Sequence, residues 1–235
     1  MFTAPFFDSR NIPVQVKVWL SLAISFVLFP VLKLGEVPFE TKMVAFVLGV
    51  LGEICLGLII GLSAKLIFAG VQLAGQMAGI QMGLGMARVL DPIAGAQVSL
   101  IAQLKNLLAM LVFLASNAHH LFLQALAESF RLVPPFHFHF TNSLMDQLVR
   151  LSSNMFVVSI KVGAPLIAVL LITSASLGLI ARTVPQMHVF IVAMPLKIMV
   201  GFLMFLLSLP YLSSYLGRVF NGLGGEMLHL LKAMQ

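Results

Sequence analysis

Long apolar stretches separated by short polar breaks dominate the chain. Val18 to Leu32 is a short apolar run, broken at Pro30 and followed by a polar loop from Lys33 to Lys42. Met43 to Leu62 is the next run, with Glu53 at its centre, and Ser63 to Ala87 continues as a second, nearly charge-free stretch. Arg88-Val-Leu-Asp-Pro92 interrupts the pattern, because a proline disfavours helical geometry in the residue before it. Val98 to Leu126 is apolar again, with Lys105 and Asn117-Ala-His-His120 set into it, and Glu128 to Asn142 is the most polar connection. Ser143-x-x-Asp146 has the spacing of a capping box and predicts the start of a helix carrying Leu144, Leu148 and Leu151 on one side. From Lys161 to Pro210 two apolar runs flank the turn Arg182-Thr-Val-Pro-Gln-Met-His188, and Arg218 to Gln235 forms a short amphipathic tail. These runs are too long and too uniformly apolar for half-buried strands, so the pattern predicts an all-α chain of helical hairpins of the integral-membrane type.

Composition agrees with that class. Of 235 residues, 60% are hydrophobic and 9% charged, and mean hydropathy is +1.05. Soluble domains carry roughly 25% charged residues, so this chain belongs with membrane proteins and has room for roughly five to seven apolar helices. The net charge of +6 does not point to nucleic acid, because the basic residues are scattered singly and form no phosphate-binding stripe. Contact with anionic lipid and cytoplasmic loops explains such an excess more simply. Loop lysines and arginines show no clear sidedness, so orientation is not readable from charge. The single Cys55 excludes an internal disulfide and reads as a packing residue. Met1 to Lys17 lacks the basic leader and apolar core of a signal peptide.

Three constellations carry candidate chemistry. Gly75, Gly79 and Gly83 recur every four residues and share one helix face with Gln72 and Gln76. Small residues there let another backbone approach closely, and the amides can bond across the contact. Gly83-Leu84-Gly85-Met86-Ala87 adds backbone freedom and a soft methionine, as a movable pore loop would need. The second constellation is charge inside apolar runs: Glu53, Lys65, Lys105, Lys161 and Lys197. Such groups are costly in lipid and are kept for a partner or a task. One acid against four lysines supplies a proton relay badly, so contacts to neighbouring subunits are the expected role. Third, Pro165 and Pro195 each free a backbone carbonyl that neighbours must satisfy. The histidines (His119, His120, His137, His139, His188, His229) come with no metal-ligand spacing, and no nucleophile elbow, phosphate loop or paired carboxylates appear. The expectation is a protein that is no enzyme and uses no metal or cofactor.

Several motifs resemble one family. Arg182-Thr-Val-Pro185-Gln186-Met-His-Val-Phe190, between Lys161-Val-Gly-Ala-Pro165 and Pro195-Leu-Lys197, is similar to the FliR family of flagellar export-gate proteins. Gly79-Ile-Gln-Met-Gly-Leu-Gly-Met-Ala87 with Asp91-Pro92 resembles its central segment, and Ser9-Arg-Asn-Ile-Pro13 its N-terminal motif. The resemblance runs from Pro5 to about Leu216.

It implies one all-helical subunit of a type III export gate, with N-terminal hairpins over 1–142 and a C-terminal hairpin and tail over 143–235. The glycine-rich segment, about residues 79–97, would form the pore plug, so Gly83 to Ala87 take that role. Arg182, Pro185 and Gln186 would form the hairpin turn. Implied partners are FliP and FliQ homologues, an FlhB homologue, membrane lipid and unfolded flagellar export substrates, with no nucleic acid. The implied location is the bacterial inner membrane at the flagellar basal body. An equivalent virulence-injectisome subunit shares the Arg-x-x-Pro-Gln turn, and a stand-alone secondary transporter using the buried charges is the alternative of another class.

Two departures stand out. Members usually carry an additional apolar stretch ahead of the motif at Pro5 to Phe7, so either a misplaced or shortened start or a missing first helix is expected. His188 stands where the family often has an amide side chain.

Overall fold

A computed structural model describes residues 13–31, 43–84, 99–136, 140–183 and 189–234. Among these, all regular elements are helices: α1 (Val14–Val31), α2 (Met43–Gln81), α3 (Leu100–Ala115), α4 (Ala118–Leu132), α5 (Asn142–Thr183) and α6 (Val189–Ala233). The all-α class expected from the pattern is what the chain adopts. Three of the described helices are long and apolar enough to cross a membrane, over Phe46–Gln81, Asn142–Thr183 and Ile191–Ala233. Counting the bent pair of α3 and α4 as one broken span makes four.

The runs fuse into fewer, longer elements than the sequence breaks suggest. Met43–Gln81 is one helix of 39 residues, with no interruption between Leu62 and Ser63. Ser63 is accommodated because its Oγ–H donates to the Ile60 carbonyl, 2.7 Å away in the preceding turn. Residues 143–183 likewise belong to a single helix of 42 residues, and the tail after Arg218 is simply the end of α6, 45 residues long. By contrast, Asn117 breaks the chain where the sequence places an interruption. It takes a left-handed φ of 54°, a conformation asparagine tolerates better than most residues, and α3 and α4 meet there at 68°.

The cap of α5 differs by two residues from the expected capping box. Thr141, not Ser143, is the cap: its Oγ1 accepts the Leu144 N–H at 3.2 Å, and its hydroxyl donates to the Ala233 carbonyl. Ser143 lies inside the first turn, where its side chain is exposed. Leu144 and Leu151 are buried as expected.

Burial along α2 follows a 4–3–4–3–4 spacing through Ile60, Ala64, Ile67, Val71, Ala74 and Ala78, a stripe that keeps one face toward neighbouring helices. Cys55 lies off that stripe and is exposed, which corrects its reading as a packing residue. The chain divides into two compact units. The first comprises residues 1–67, 113–154 and 219–235, with Phe113 packed edge-on against Phe220 at 5.3 Å. The second comprises residues 68–112 and 155–218, centred on Ala78, Met82, Ile101, Leu166, Leu170 and Phe205. Each unit therefore draws on segments from both sides of residue 142.

Candidate functional site

In the second unit the glycine face of α2 meets α3. Gly75 is covered by Ala102 so closely that a Cβ would overlap its backbone, and at Gly79 a Cβ would overlap the side chain of Ser99. Gln72 and Gln76, on the flank of this face, are half-buried. Close approach at these positions needs the absence of a side chain rather than any special backbone angle.

Gly83 has the opposite reason. It carries φ +82°, and two backbone bonds surround it: Gly83 N–H to the Ile80 carbonyl and Leu84 N–H to the Gly79 carbonyl, both 3.0 Å. This paired pattern is a Schellman stop, in which a left-handed glycine ends a helix and satisfies its last carbonyls. Gly83 therefore terminates α2. Leu84 packs against the apolar core of the unit, and Met194 lies over Gly83. Met82, fully buried, lies over Gly201 of α6. Gly85, Met86 and Ala87, with the rest of the segment to Val98, lie outside the described residues, as do Pro185 and Gln186 of the hairpin turn. Arg182 is exposed near the end of α5.

The charged positions separate by environment. Lys105 is 1% exposed and is the buried charged side chain among the described residues. Its Nζ donates to the Val162 carbonyl at 3.2 Å, so it has a partner within its own chain. Val162 is adjacent to Lys161, whose carbonyl is the one that Pro165 leaves without a helical N–H. That carbonyl accepts the Tyr211 hydroxyl at 3.4 Å. Two consecutive carbonyls of α5 are thus taken by side chains from α3 and α6. The Lys161 ammonium itself is exposed and lies 5.8 Å from the centroid of the Tyr215 ring, which stacks on Tyr211.

Lys65 is also exposed, while Lys197 and Glu53 are half-buried. A place inside an apolar run therefore does not by itself make a charge buried: Lys65 and Lys161 lie off the buried stripes of their helices. In the first unit, Glu53 Oε1 accepts the backbone N–H of Phe136 at 3.0 Å. Phe136 has φ +69°, and its ring covers Gly49 and tilts against Phe46 at 5.9 Å. Glu53 thus holds a strained turn.

Four participants escaped the sequence reading. Tyr211 and Tyr215 are one turn apart after Pro210, a spacing that could have marked them as donors for the carbonyl freed at Pro165. Asn154 and Glu226, 72 residues apart, are joined through Nδ2 to Oε1 at 3.3 Å in the first unit, and nothing local in the sequence signals that pairing.

The chain matches the model of the bacterial export proteins, family 1, over residues 1–223. It is 33% identical to the flagellar biosynthetic protein FliR of Bacillus subtilis over 228 residues, covering 93% of this chain and 85% of the relative. Against the FliR protein of Pectobacterium carotovorum identity is 32%, covering 93% and 83%, and against that of Escherichia coli it is 28%, covering 97% and 85%. A family match across nearly the whole chain, on an all-helical membrane-type fold, places it by descent as well as by architecture. The chain belongs to the bacterial export proteins of family 1, the FliR family, and is a membrane component of the flagellar protein export apparatus.

Proposed function

We propose that the chain is a non-enzymatic gate subunit of the flagellar type III export apparatus, in the bacterial inner membrane at the basal body. It would assemble with FliP and FliQ homologues, be contacted by an FlhB homologue, and line a pore for unfolded flagellar subunits. The observation that carries this reading is a mismatch of length and coverage. The three long apolar helices of 36, 42 and 43 residues extend about 54–65 Å, roughly twice a bilayer's hydrocarbon core. Only 50%, 33% and 17% of their most apolar windows are buried within the chain. Surface of that length and apolarity needs other protein subunits as well as lipid to cover it.

In this reading Gly83 ends α2 and launches the plug segment, with Gly83 to Ala87 as its first part. The test is deletion of Gly83 to Ala87. The complex should still copurify with FliP and FliQ homologues while membranes become leaky to ions, and an intact barrier would remove the plug assignment. The transporter reading loses support from the bonds of Glu53 and Lys105, which go to backbone groups and supply no carboxylate–ammonium relay. The injectisome reading is disfavoured by the flagellar names of the relatives.

A further inference from the structure

The second unit carries charge of one sign. Among its described residues stand Lys105, Lys161, Arg182, Lys197 and Arg218, with neither an aspartate nor a glutamate. Asp91, the one acid in its sequence, lies outside the described residues. Lys105 has the Val162 carbonyl. Lys161 has, among the described residues, the ring of Tyr215 at 5.8 Å. An aromatic face attracts the charge but leaves the three N–H donors of the ammonium without an oxygen acceptor. Elsewhere in the chain, Glu53, Glu128 and Glu226 are already bonded to Phe136, Arg131 and Asn154. Asp146 is about four turns back along α5.

The surroundings of Lys161 are apolar and bare. Val157 and Ile160 of α5 are 41% and 65% exposed, and Leu207, one turn before Tyr211 on α6, is 67% exposed. Lys161 is roughly 29 Å from the start of α5 and 33 Å from its end. An ammonium reaches a polar boundary by extending its stem only from near the end of an apolar run, so a lipid headgroup is a poor match for this position. On α6 the Tyr215 ring is held parallel to Tyr211, within 9° at 6.1 Å, and Tyr211 is itself anchored by its hydroxyl on the Lys161 carbonyl at 3.4 Å. Arg218, three residues beyond Tyr215, shares that face of α6 and is exposed.

We infer that Lys161, Tyr215 and Arg218 form a receptor for a carboxylate side chain of a neighbouring protein subunit. The inference rests on the chain being a gate subunit, and it names what one of its contacts recognises. One carboxylate oxygen accepts from the Lys161 ammonium and the other from the Tyr215 hydroxyl, while the Arg218 guanidinium adds a second positive charge. The apolar rim closes against the partner and excludes water, which strengthens charge-assisted bonds. Charge complementarity selects the occupant, since a surface of cations alone admits an acidic group and repels a basic one.

The test uses the chain copurified with FliP and FliQ homologues and treated with a water-soluble carbodiimide, which joins an amine and a carboxylate in direct contact as an amide without a spacer. Peptide mass spectrometry should find Lys161 joined to an aspartate or glutamate of another chain. In the untreated complex, Lys161 should resist acetylation by an N-hydroxysuccinimide ester that modifies Lys232. Lys161→Met should lower the yield of copurified partner about tenfold, the scale of one charged hydrogen bond. Lys161→Arg should retain most of it, with helical content by circular dichroism unchanged in both. A complex that forms while Lys161 is acetylated as readily as Lys232 would overturn the receptor and leave the gate-subunit reading intact. A link from Lys161 only to an acid of its own chain, such as Asp91, would overturn it as well. So would protection that appears only when phosphatidylglycerol is added, because the occupant would then be a headgroup. Failure of the wild-type chain to copurify with any partner would overturn both readings.

Discussion

Lys105 donates its ammonium to the carbonyl of Val162, 3.2 Å away, one residue beyond the carbonyl that Pro165 cannot satisfy. A buried cation and a helix-breaking proline, each costly alone, thus sit on the same turn of α5. The lysine's long stem also fills space in the second unit, since it is among the largest fully buried side chains. Volume and charge can be separated by substitution. Lys105→Ala should destabilise the chain by about 2–5 kcal/mol, as a buried large-to-small change does. Lys105→Met, which keeps most of the volume, should cost about 1 kcal/mol or less, because removing the ammonium also removes its desolvation penalty. Thermal unfolding in detergent, followed by circular dichroism, distinguishes the two; equal losses would show that the charge rather than the packing matters.

Tyr211 and Pro165 form a natural double-mutant cycle. Tyr211→Phe should cost about 0.5–1.5 kcal/mol, the net worth of one hydrogen bond. In a Pro165→Ala background the restored backbone N–H takes the Lys161 carbonyl, so the same tyrosine change should become nearly neutral. A cost unchanged by the proline substitution would mean that the hydroxyl matters through some other contact.

The glycines of α2 should respond according to their different reasons. Gly83→Ala should cost roughly 1 kcal/mol, because a Cβ is penalised at positive φ. Gly75→Leu should be far worse, since overpacking against the α3 backbone costs about 1–3 kcal/mol or more and pushes the helices apart. Expression level and melting temperature check the order, and a milder effect at Gly75 than at Gly83 would contradict the close approach to Ala102.

Lys197 and Lys232 test whether cations within apolar helices serve assembly. Lys197 is half-buried within α6, whereas Lys232 is exposed in its last turn. Lys197→Ala should reduce copurification of FliP and FliQ homologues and motility by about tenfold, the scale of one charged hydrogen bond, with Lys232→Ala close to wild type. Equal and negligible effects would show that Lys197 only extends its ammonium to a polar boundary.

Legibility in the sequence followed the range of each interaction. The helical class and the break at Asn117 rest on local periodicity and on residues with special backbone tolerance, and both were readable. The fusion of two runs into α2 was not, because Ser63 looked like a polar boundary until its hydroxyl was seen turned back onto Ile60. Gly83 was read for freedom, whereas a left-handed glycine followed by Leu84 equally encodes a fixed helix stop. Partners distant in sequence were invisible: Lys105 with Val162 are separated by 57 residues, and Glu53 with Phe136 by 83. Proline supplied the nearest clue, since it announces a carbonyl in need of a donor without naming that donor.

The bond from Thr141 to Ala233 has a consequence for how the chain is made. Thr141 caps the start of α5, yet the acceptor for its hydroxyl proton is 92 residues downstream, in the final turn of α6. During synthesis the first turn of α5 can form its own cap at once, but the hydroxyl gains its second partner only when the last turn of α6 emerges. Such a long closure is entropically costly and forms late. The last turn of α6 thus completes a helix that began long before it, and a lesion there is a lesion at the beginning of α5 as much as at the end of α6.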